Sequence, residues 1–381
     1  MSCVIVNDKK VEIPAETGTL LEMLRENLGL TGAKKACDNG ECGSCIVLMN
    51  GKPTKSCLLQ ADRAADKTVL TVEGLAPEAM DLQTGDDYSV LHPIQQAFLA
   101  KGATQCGFCI PGMIMKTHEL LARKPNPTHK DIVKGLSTNL CRCTGYTKII
   151  EAVRYAADLI SEKRNAPEPV QPNGRAVGVN VARLDSPSTV NGAAKYGADL
   201  RMDGMLYGKL LRSEHHHARI LSIDVSEAVT MKGVSAVVTA DDIPGTTYLP
   251  NCQPQVYVFP KDRIRFKGEA LAGVAAISEK IASEALKKIK VKVEVLPHAI
   301  EIKDAVKSSA TPLYNHSPRV SKVEEVSCGD IDKAFAKADV IVENDYTVPM
   351  REHAAMEPEC ALAYQEGTKL VIRTGLYHAF V

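Results

Sequence analysis

The apolar positions of this chain change their spacing twice. Up to about residue 78 they fall in short alternating runs, the mark of half-buried strands, broken by one helical stretch. Ser2–Val6 and Lys10–Ile13 flank a turn at Asn7-Asp8 and read as a hairpin. Leu20, Leu21, Leu24 and Leu28 recur at helical spacing, and Gly29 ends that helix. Ile46–Met49 runs into Asn50-Gly51, a strong hairpin signal, and the return strand should carry Cys57. Val69–Val72 closes this part as a last strand.

From residue 90 to about 163 the pattern is helical throughout. His92–Ala100 predicts one helix, and Pro111 suits the first turn of the next, where its missing N–H costs nothing. That helix should end near Lys124, before Pro125. Thr128 with Asp131 three residues on forms a variant of the capping box for a third helix, expected to end near Cys141. Gly145 breaks the chain, and Ile149–Glu162 predicts the fourth helix. Residues 164–190 are rich in proline, glycine and polar side chains and read as a linker. Beyond it the pattern is mixed α/β. Ala282–Lys288 predicts a helix, Val291–Val295 a buried strand, and Val340–Glu343, Ala361–Tyr364 and Lys369–Arg373 further strands. There is no internal repeat and no low-complexity tract.

Charge narrows the function classes. Lysine plus arginine and aspartate plus glutamate each number 46 in 381 residues, so the formal net charge is zero. That balance argues against a nucleic-acid binder or a polybasic membrane-surface protein. No apolar run approaches the ~20 residues that span a bilayer, and MSCVIVNDKK has no signal-peptide character, so a cytoplasmic location is expected. In that setting the 12 cysteines read as metal ligands more readily than as disulfides.

Eight of them form two quartets. The first is Cys37-x4-Cys42-x2-Cys45, closed by Cys57 across the hairpin. This is the spacing of a plant-type [2Fe–2S] ligand loop, whereas structural zinc sites usually draw on closer cysteine pairs. Gly40 and Gly43 let the loop curl and leave backbone N–H groups free to point at sulfur. The second quartet is Cys106-x2-Cys109 with Cys141-x-Cys143, which alone does not decide between a cluster and zinc. The turn CRCTG is too short to close a site by itself, so Cys106 and Cys109 must meet it in space.

Other residues invite weaker readings. His215–His217 suggests a metal, but consecutive residues of a strand face opposite ways and cannot easily share one ion. Cys3, Cys252, Cys328 and Cys360 are left over, and free cysteine is commonly a small buried apolar residue. Gln105, read from the residues alone, is a capping or turn residue.

Taken in order, ACDNGECGSC, TQCGFCIPGMIM and NLCRCTGY resemble the molybdenum hydroxylases, the xanthine oxidase and aldehyde oxidoreductase family. VNGAAKYGADL, LLRSEHHHARI, RFKGEALAGVAA and REHAAMEPECALAY continue the likeness along nearly the whole chain. The resemblance implies an α+β multidomain architecture: a β-grasp ferredoxin-like domain over 1–78, a four-helix-bundle [2Fe–2S] domain over 79–163, the linker 164–190, a hammerhead-like α/β domain over 191–300, and the start of a molybdopterin-binding domain over 301–381. It implies two [2Fe–2S] clusters, with Cys37, Cys42, Cys45 and Cys57 on the first and Cys106, Cys109, Cys141 and Cys143 on the second. Gln105 and Cys143 would lie against the pterin, and Glu269 and Glu357 would support or pack near the molybdenum site, or stand simply as solvated or paired carboxylates.

The layout also resembles one branch. Eukaryotic xanthine oxidases carry a flavin domain where this chain has only the linker, as in flavin-free bacterial aldehyde oxidoreductases. The implied reaction converts aldehyde and water to carboxylate, with electrons leaving through the clusters to an external acceptor such as ferredoxin, flavodoxin or a flavin subunit. A split xanthine dehydrogenase or another N-heterocycle hydroxylase is the alternative. The family's glycine-phenylalanine loop for molybdopterin and its late glutamate are absent from this sequence, which ends in an expected strand, Tyr377–Val381. No catalytic residue is therefore assigned, and the rest of the molybdopterin-binding part is the expected partner. The similar enzymes are commonly homodimers.

Overall fold

The computed structural model describes residues 2–15, 18–75, 88–166, 177, 183, 185–249, 256–307, 309, 311–314 and 326–375. The chain divides into two compact units, one of Met1–Leu200 with Pro349–Ala379, the other built on Arg201–Val348.

The first unit opens with β1 (Cys3–Val6) and β2 (Lys9–Glu12), an antiparallel hairpin turned through Asn7 and Asp8, both at positive φ. The helix that follows is short. After α1 (Leu20–Glu22), capped reciprocally by Thr19 and Glu22, the backbone widens to π geometry over Met23–Asn27. Strands β3 (Ile46–Met49), β4 (Lys52–Lys55) and β5 (Thr68–Leu70) complete a mixed sheet of order β2-β1-β5-β3-β4. Cys57 stands in the turn beyond β4 rather than in the return strand, because pairing with β3 stops at Ile46↔Lys55.

Four longer helices follow: α2 (Pro93–Ala100), α3 (Ile110–Arg123), α4 (His129–Leu136) and α5 (Thr147–Ser161). Thr128 and Asp131 cap α4 reciprocally. That helix stops at Leu136, short of the expected Cys141, and Ser137 takes the C-cap. Leu140 turns its backbone N–H, and Asn139 its side-chain amide, to the first cysteine loop instead. Within the expected linker the chain forms α6 (Ser186–Asn191), whose Val190 is fully buried in the helical core.

Strand β3 joins the two halves of this unit. Successive strand residues face opposite ways, and here both faces are buried. Val47 enters the core formed by Val4, Leu20, Leu24 and Val69, while Ile46 and Leu48 enter the helical core with Phe98, Met113 and Ile114.

The second unit holds β6 (Tyr207–Arg212), β7 (Ala218–Asp224), helix α7 (Ser226–Val229), β8 (Val234–Val238), β9 (Arg263–Ile264), β10 (Ala270–Ala276), α8 (Glu279–Leu286), β11 (Lys290–Val295), α9 (Ile302–Ala305) and α10 (Ile331–Lys337). Two three-stranded sheets result, β6-β10-β8 and β11-β7-β9. The expected buried strand at Val291–Val295 is an edge: β11 pairs only with β7 in its sheet, and Lys290, Lys292 and Glu294 point to solvent. Val340–Glu343 forms no strand; its apolar side chains are exposed, and no ladder reaches it among the described residues. The chain returns to the first unit with the hairpin of β12 (Ala361–Glu366) and β13 (Lys369–Thr374). The expected strand Tyr377–Val381 and Cys252 lie outside the described residues.

Candidate iron–sulfur sites

The structure gathers each quartet, and it gathers each as two pairs. In the first site Cys45 Sγ and Cys57 Sγ are 3.3 Å apart, and Cys42 N–H donates to Cys37 Sγ at 3.3 Å. In the second, Cys143 Sγ lies 3.5 Å from Cys106 Sγ, and Cys109 hydrogen-bonds Cys141. Two thiolates on one tetrahedral metal with ~2.3 Å bonds stand about 3.8 Å apart, so the Cys45–Cys57 and Cys106–Cys143 pairs each fit one metal. Among the described residues no three His, Cys, Asp or Glu side chains converge as a group that could hold a single ion. Two thiolate pairs brought together suit the four-cysteine ligation of a [2Fe–2S] core.

The first loop meets the requirements of an anionic core. Asp38, Gly40 and Gly43 take positive φ, which curls the segment. Burial alone would raise the Cys37 thiol, but the N–H groups of Asn39, Cys42 and Glu41 outweigh it and bring it to about 7. Gly40 N–H bonds Cys57 and Ser44 N–H bonds Cys42, so the backbone presents a concave set of donors to sulfur. Burial and the neighbouring Cys45 push Cys57 up to about 12. Cys42, Cys45 and Cys57 are buried and Cys37 is exposed.

The second site sits at helix junctions. Cys109 is the N-cap of α3, and Cys141 and Cys143 lie between α4 and α5. A hydrogen bond from Cys109, helped by Thr144, overcomes burial and brings Cys141 down to about 5. Burial and Cys143 raise Cys106 to about 11. Cys109 is buried, Cys143 exposed.

The two sites touch through backbone. Leu140 N–H donates to the carbonyl of Cys42 at 2.8 Å, and the next residue is Cys141. Asn139 Nδ2 donates to Gly43 O at 3.1 Å beside it. This approach needs glycine: a Cβ on Gly43 would stand 2.4 Å from Thr138 O, and one on Gly112 of α3 would stand 2.3 Å from Gly43 O.

The other expected residues divide. Gln105 is exposed like Cys143, and its carbonyl accepts from the Arg183 guanidinium. Glu357 Oε1 accepts from Gly197 N–H at 3.1 Å within the first unit. Glu269 lies in the second unit, 2 % exposed, where burial raises its carboxyl and Arg265 N–H bonds it. His215–His217 occupy the turn between β6 and β7, not a strand, so the strand alternation invoked against a shared ion does not apply. His217 is fully buried with Nδ1 on Pro297 O, while His216 stacks on His298. Cys3 and Cys360 are half-buried and Cys328 is exposed.

Sequence reasoning missed a set of charges. Asp199 lies between Arg25 Nη2 at 2.6 Å and Lys34 Nζ at 2.9 Å, all three side chains at most 4 % exposed. Burial alone would raise the Asp199 carboxyl, but Lys34 and Arg25 hold it below the usual carboxylate range. Arg142, inside the Cys-Arg-Cys turn, donates to the carbonyls of Glu352 and His353. No local pattern marks these partners, which are more than 160 residues apart in sequence.

Two cysteine quartets in one compact unit, joined by a backbone hydrogen bond, suit a protein with two iron–sulfur centres. Comparison with known proteins agrees. Residues 4–72 match the 2Fe-2S iron-sulfur cluster binding domain family, 71–154 the [2Fe-2S] binding domain, 191–297 the aldehyde oxidase and xanthine dehydrogenase a/b hammerhead domain, and 314–380 the molybdopterin cofactor-binding domain. The aldehyde oxidoreductase of Megalodesulfovibrio gigas is 33% identical over 369 residues, covering 91% of this chain and 39% of that protein. The nicotinate dehydrogenase small FeS subunit of Eubacterium barkeri is 47% identical over 139 residues, covering 36% of this chain and 82% of the subunit. The solved aldehyde oxidoreductase from Desulfovibrio gigas superposes with a TM-score of 0.87 at 32% identity, over 98% of this chain and 42% of that one. The chain belongs to the molybdenum hydroxylase family, with two 2Fe-2S binding domains and molybdopterin cofactor-binding sequence. Among the described residues no helix is long and apolar enough to cross a membrane.

Proposed function

We propose that this chain carries the electron-transfer portion of a molybdenum-dependent aldehyde oxidoreductase, converting aldehyde and water to carboxylate. When bound, the [2Fe–2S] groups supply one-electron uptake and release, and molybdopterin the two-electron end of the reaction. Cys37, Cys42, Cys45 and Cys57 hold the first cluster, and Cys106, Cys109, Cys141 and Cys143 the second. Exposed Gln105 and Cys143 face the pterin, and the exposed side of the first loop at Cys37 faces an external acceptor such as ferredoxin, flavodoxin or a flavin subunit. The observation that carries this reading is the Leu140 N–H bond to Cys42 O, which leaves one hydrogen bond between ligand-bearing segments of the two sites. The sheet order β2-β1-β5-β3-β4 supports a β-grasp reading of the first domain, and the packing of α2 to α5 a helical-bundle reading of the second.

A second reading is favoured by the 47% identity to a nicotinate dehydrogenase small subunit: the chain serves an enzyme that hydroxylates an N-heterocycle, with the molybdopterin part on another polypeptide. One experiment tests both. Protein purified anaerobically is assayed for iron and molybdenum, then offered an aldehyde, nicotinate and xanthine while cluster reduction is followed by EPR. About four irons per chain are expected, with reduction by aldehyde alone once the remaining molybdopterin-binding part is supplied. Reduction by nicotinate or xanthine alone favours the second reading, and zinc without iron overturns both.

A further inference from the structure

We propose that Lys34 is a shared positioning residue of both centres, its buried ammonium, held by Asp199 and coupled through Tyr196, setting their reduction potentials. The proposal rests on the electron-transfer reading above.

Lys34 belongs to both sites. Its backbone N–H donates to Ser44 O at 3.1 Å, inside the first cysteine loop. Its side chain, 1% exposed, reaches the other way: Nζ donates to Ala194 O at 3.0 Å and Asp199 Oδ2 at 2.9 Å, and stands 4.5 Å from the centroid of the Tyr196 ring. Tyr196 then donates its hydroxyl to the carbonyl of Cys106, a ligand of the second site, at 2.7 Å. Its ring meets Phe108 edge-on at 5.0 Å. A Cβ on Gly107 would stand 2.7 Å from the Tyr196 hydroxyl, and Gly107 has φ +86, so glycine keeps this approach open. A cation against the ring face polarises the phenol toward donation.

A purely structural clamp does not require this cation. Arg25 already engages Asp199 Oδ1 and the carbonyls of Thr31, Ala33 and Ala198. Removing one partner of a buried ion pair is costly when it strands the other charge, and here Arg25 still pairs with Asp199 when Lys34 is replaced. Lysine differs from an apolar replacement by its charge and by its Nζ hydrogen bonds to Ala194 O and Asp199 Oδ2. Glu73, the other carboxylate acting on Lys34, is engaged by Gly32 N–H and the Thr71 hydroxyl. A buried cation favours the added electron in each centre, and low local polarity preserves the effect.

The test is an EPR-monitored redox titration of the full chain with both clusters assembled. Lys34→Met should lower both midpoints, cutting the reduced-to-oxidised ratio at fixed potential about tenfold, ~59 mV for a one-electron centre. Asp199→Asn should move both midpoints upward, and Lys34→Arg should keep them near wild type. Tyr196→Phe, which removes one oxygen and no charge, should shift the second centre alone. Equal-sign shifts from Lys34→Met and Asp199→Asn, or none with both signals intact, overturn the proposal. If Lys34→Met does not assemble its clusters, Asp199→Asn and Tyr196→Phe decide by the same signs. A wild-type chain without two EPR signals would instead sink the electron-transfer reading itself.

Discussion

The two cysteine sites solve the same chemical problem with different parts of the protein. The first is one continuous loop whose curl comes from positive φ at Asp38, Gly40 and Gly43, closed by Cys57 beyond a hairpin. Its donors to sulfur are its own backbone N–H groups, and Cys45 and Cys57 also belong to the apolar core of the sheet. The second has no such loop. Its cysteines sit at helix junctions, and besides local N–H donors such as Thr144 on Cys141 the site is tied to distant segments, by Tyr196 on Cys106, Arg183 on Gln105 and its own Arg142 on the 352–353 backbone. The curl of the first loop is thus set locally, while the second site draws its cysteines from two separate segments.

Removing a ligand from each is the largest perturbation. Cys57→Ala and Cys143→Ala should each cut iron from about four to about two per chain. Only Cys57→Ala should also lower the melting temperature of the sheet domain, because Cys57 is a core residue and Cys143 is exposed. Equal thermal losses would break the distinction. A methyl group at the junction comes next. Gly43→Ala forces an L side chain to φ +75 against Thr138 O and should cost ~3 kcal/mol in urea unfolding. Gly102→Ala, at φ +58 with nothing within 4 Å, should cost only ~1 kcal/mol.

Acid should separate the two halves of the first unit. Burial, with repulsion from His118, lowers His92 at the start of α2 to about 4 from an ordinary 6.5. Between those values the unfolded chain binds more protons, so stability falls as pH drops through this window. The loss is below ~3 kcal/mol, since the ring is partly solvated. His92→Asn, which keeps a capping side chain, should flatten the pH dependence of helical circular dichroism from 6.5 to 4. Persistence of the slope would remove His92 as its source. The smallest effect is Thr128→Ala, which breaks the cap of α4 and should cost ~1 kcal/mol by chemical denaturation, with the first site unaffected.

What was legible in the sequence follows the same division. The hairpin at Asn7-Asp8, the Thr128 cap and the first cysteine loop are set within a few residues, and they could be read directly. The end of α4 could not, because Asn139 and Leu140 leave the helix to bond Gly43 and Cys42 nearly 100 residues away. Val340–Glu343 has strand composition but no ladder partner among the described residues, and composition cannot supply one. Lys34, Asp199 and Tyr196 carry no spacing signal, since their roles arise from contacts between distant segments.

The backbone bond between Leu140 and Cys42 also makes one amide hydrogen a reporter for both sites. Its exchange with deuterium requires the two loops to part, whichever one moves first. Tracked by mass spectrometry while iron is withdrawn from either site, that single position would time how long the pair stays joined after one half has lost its metal.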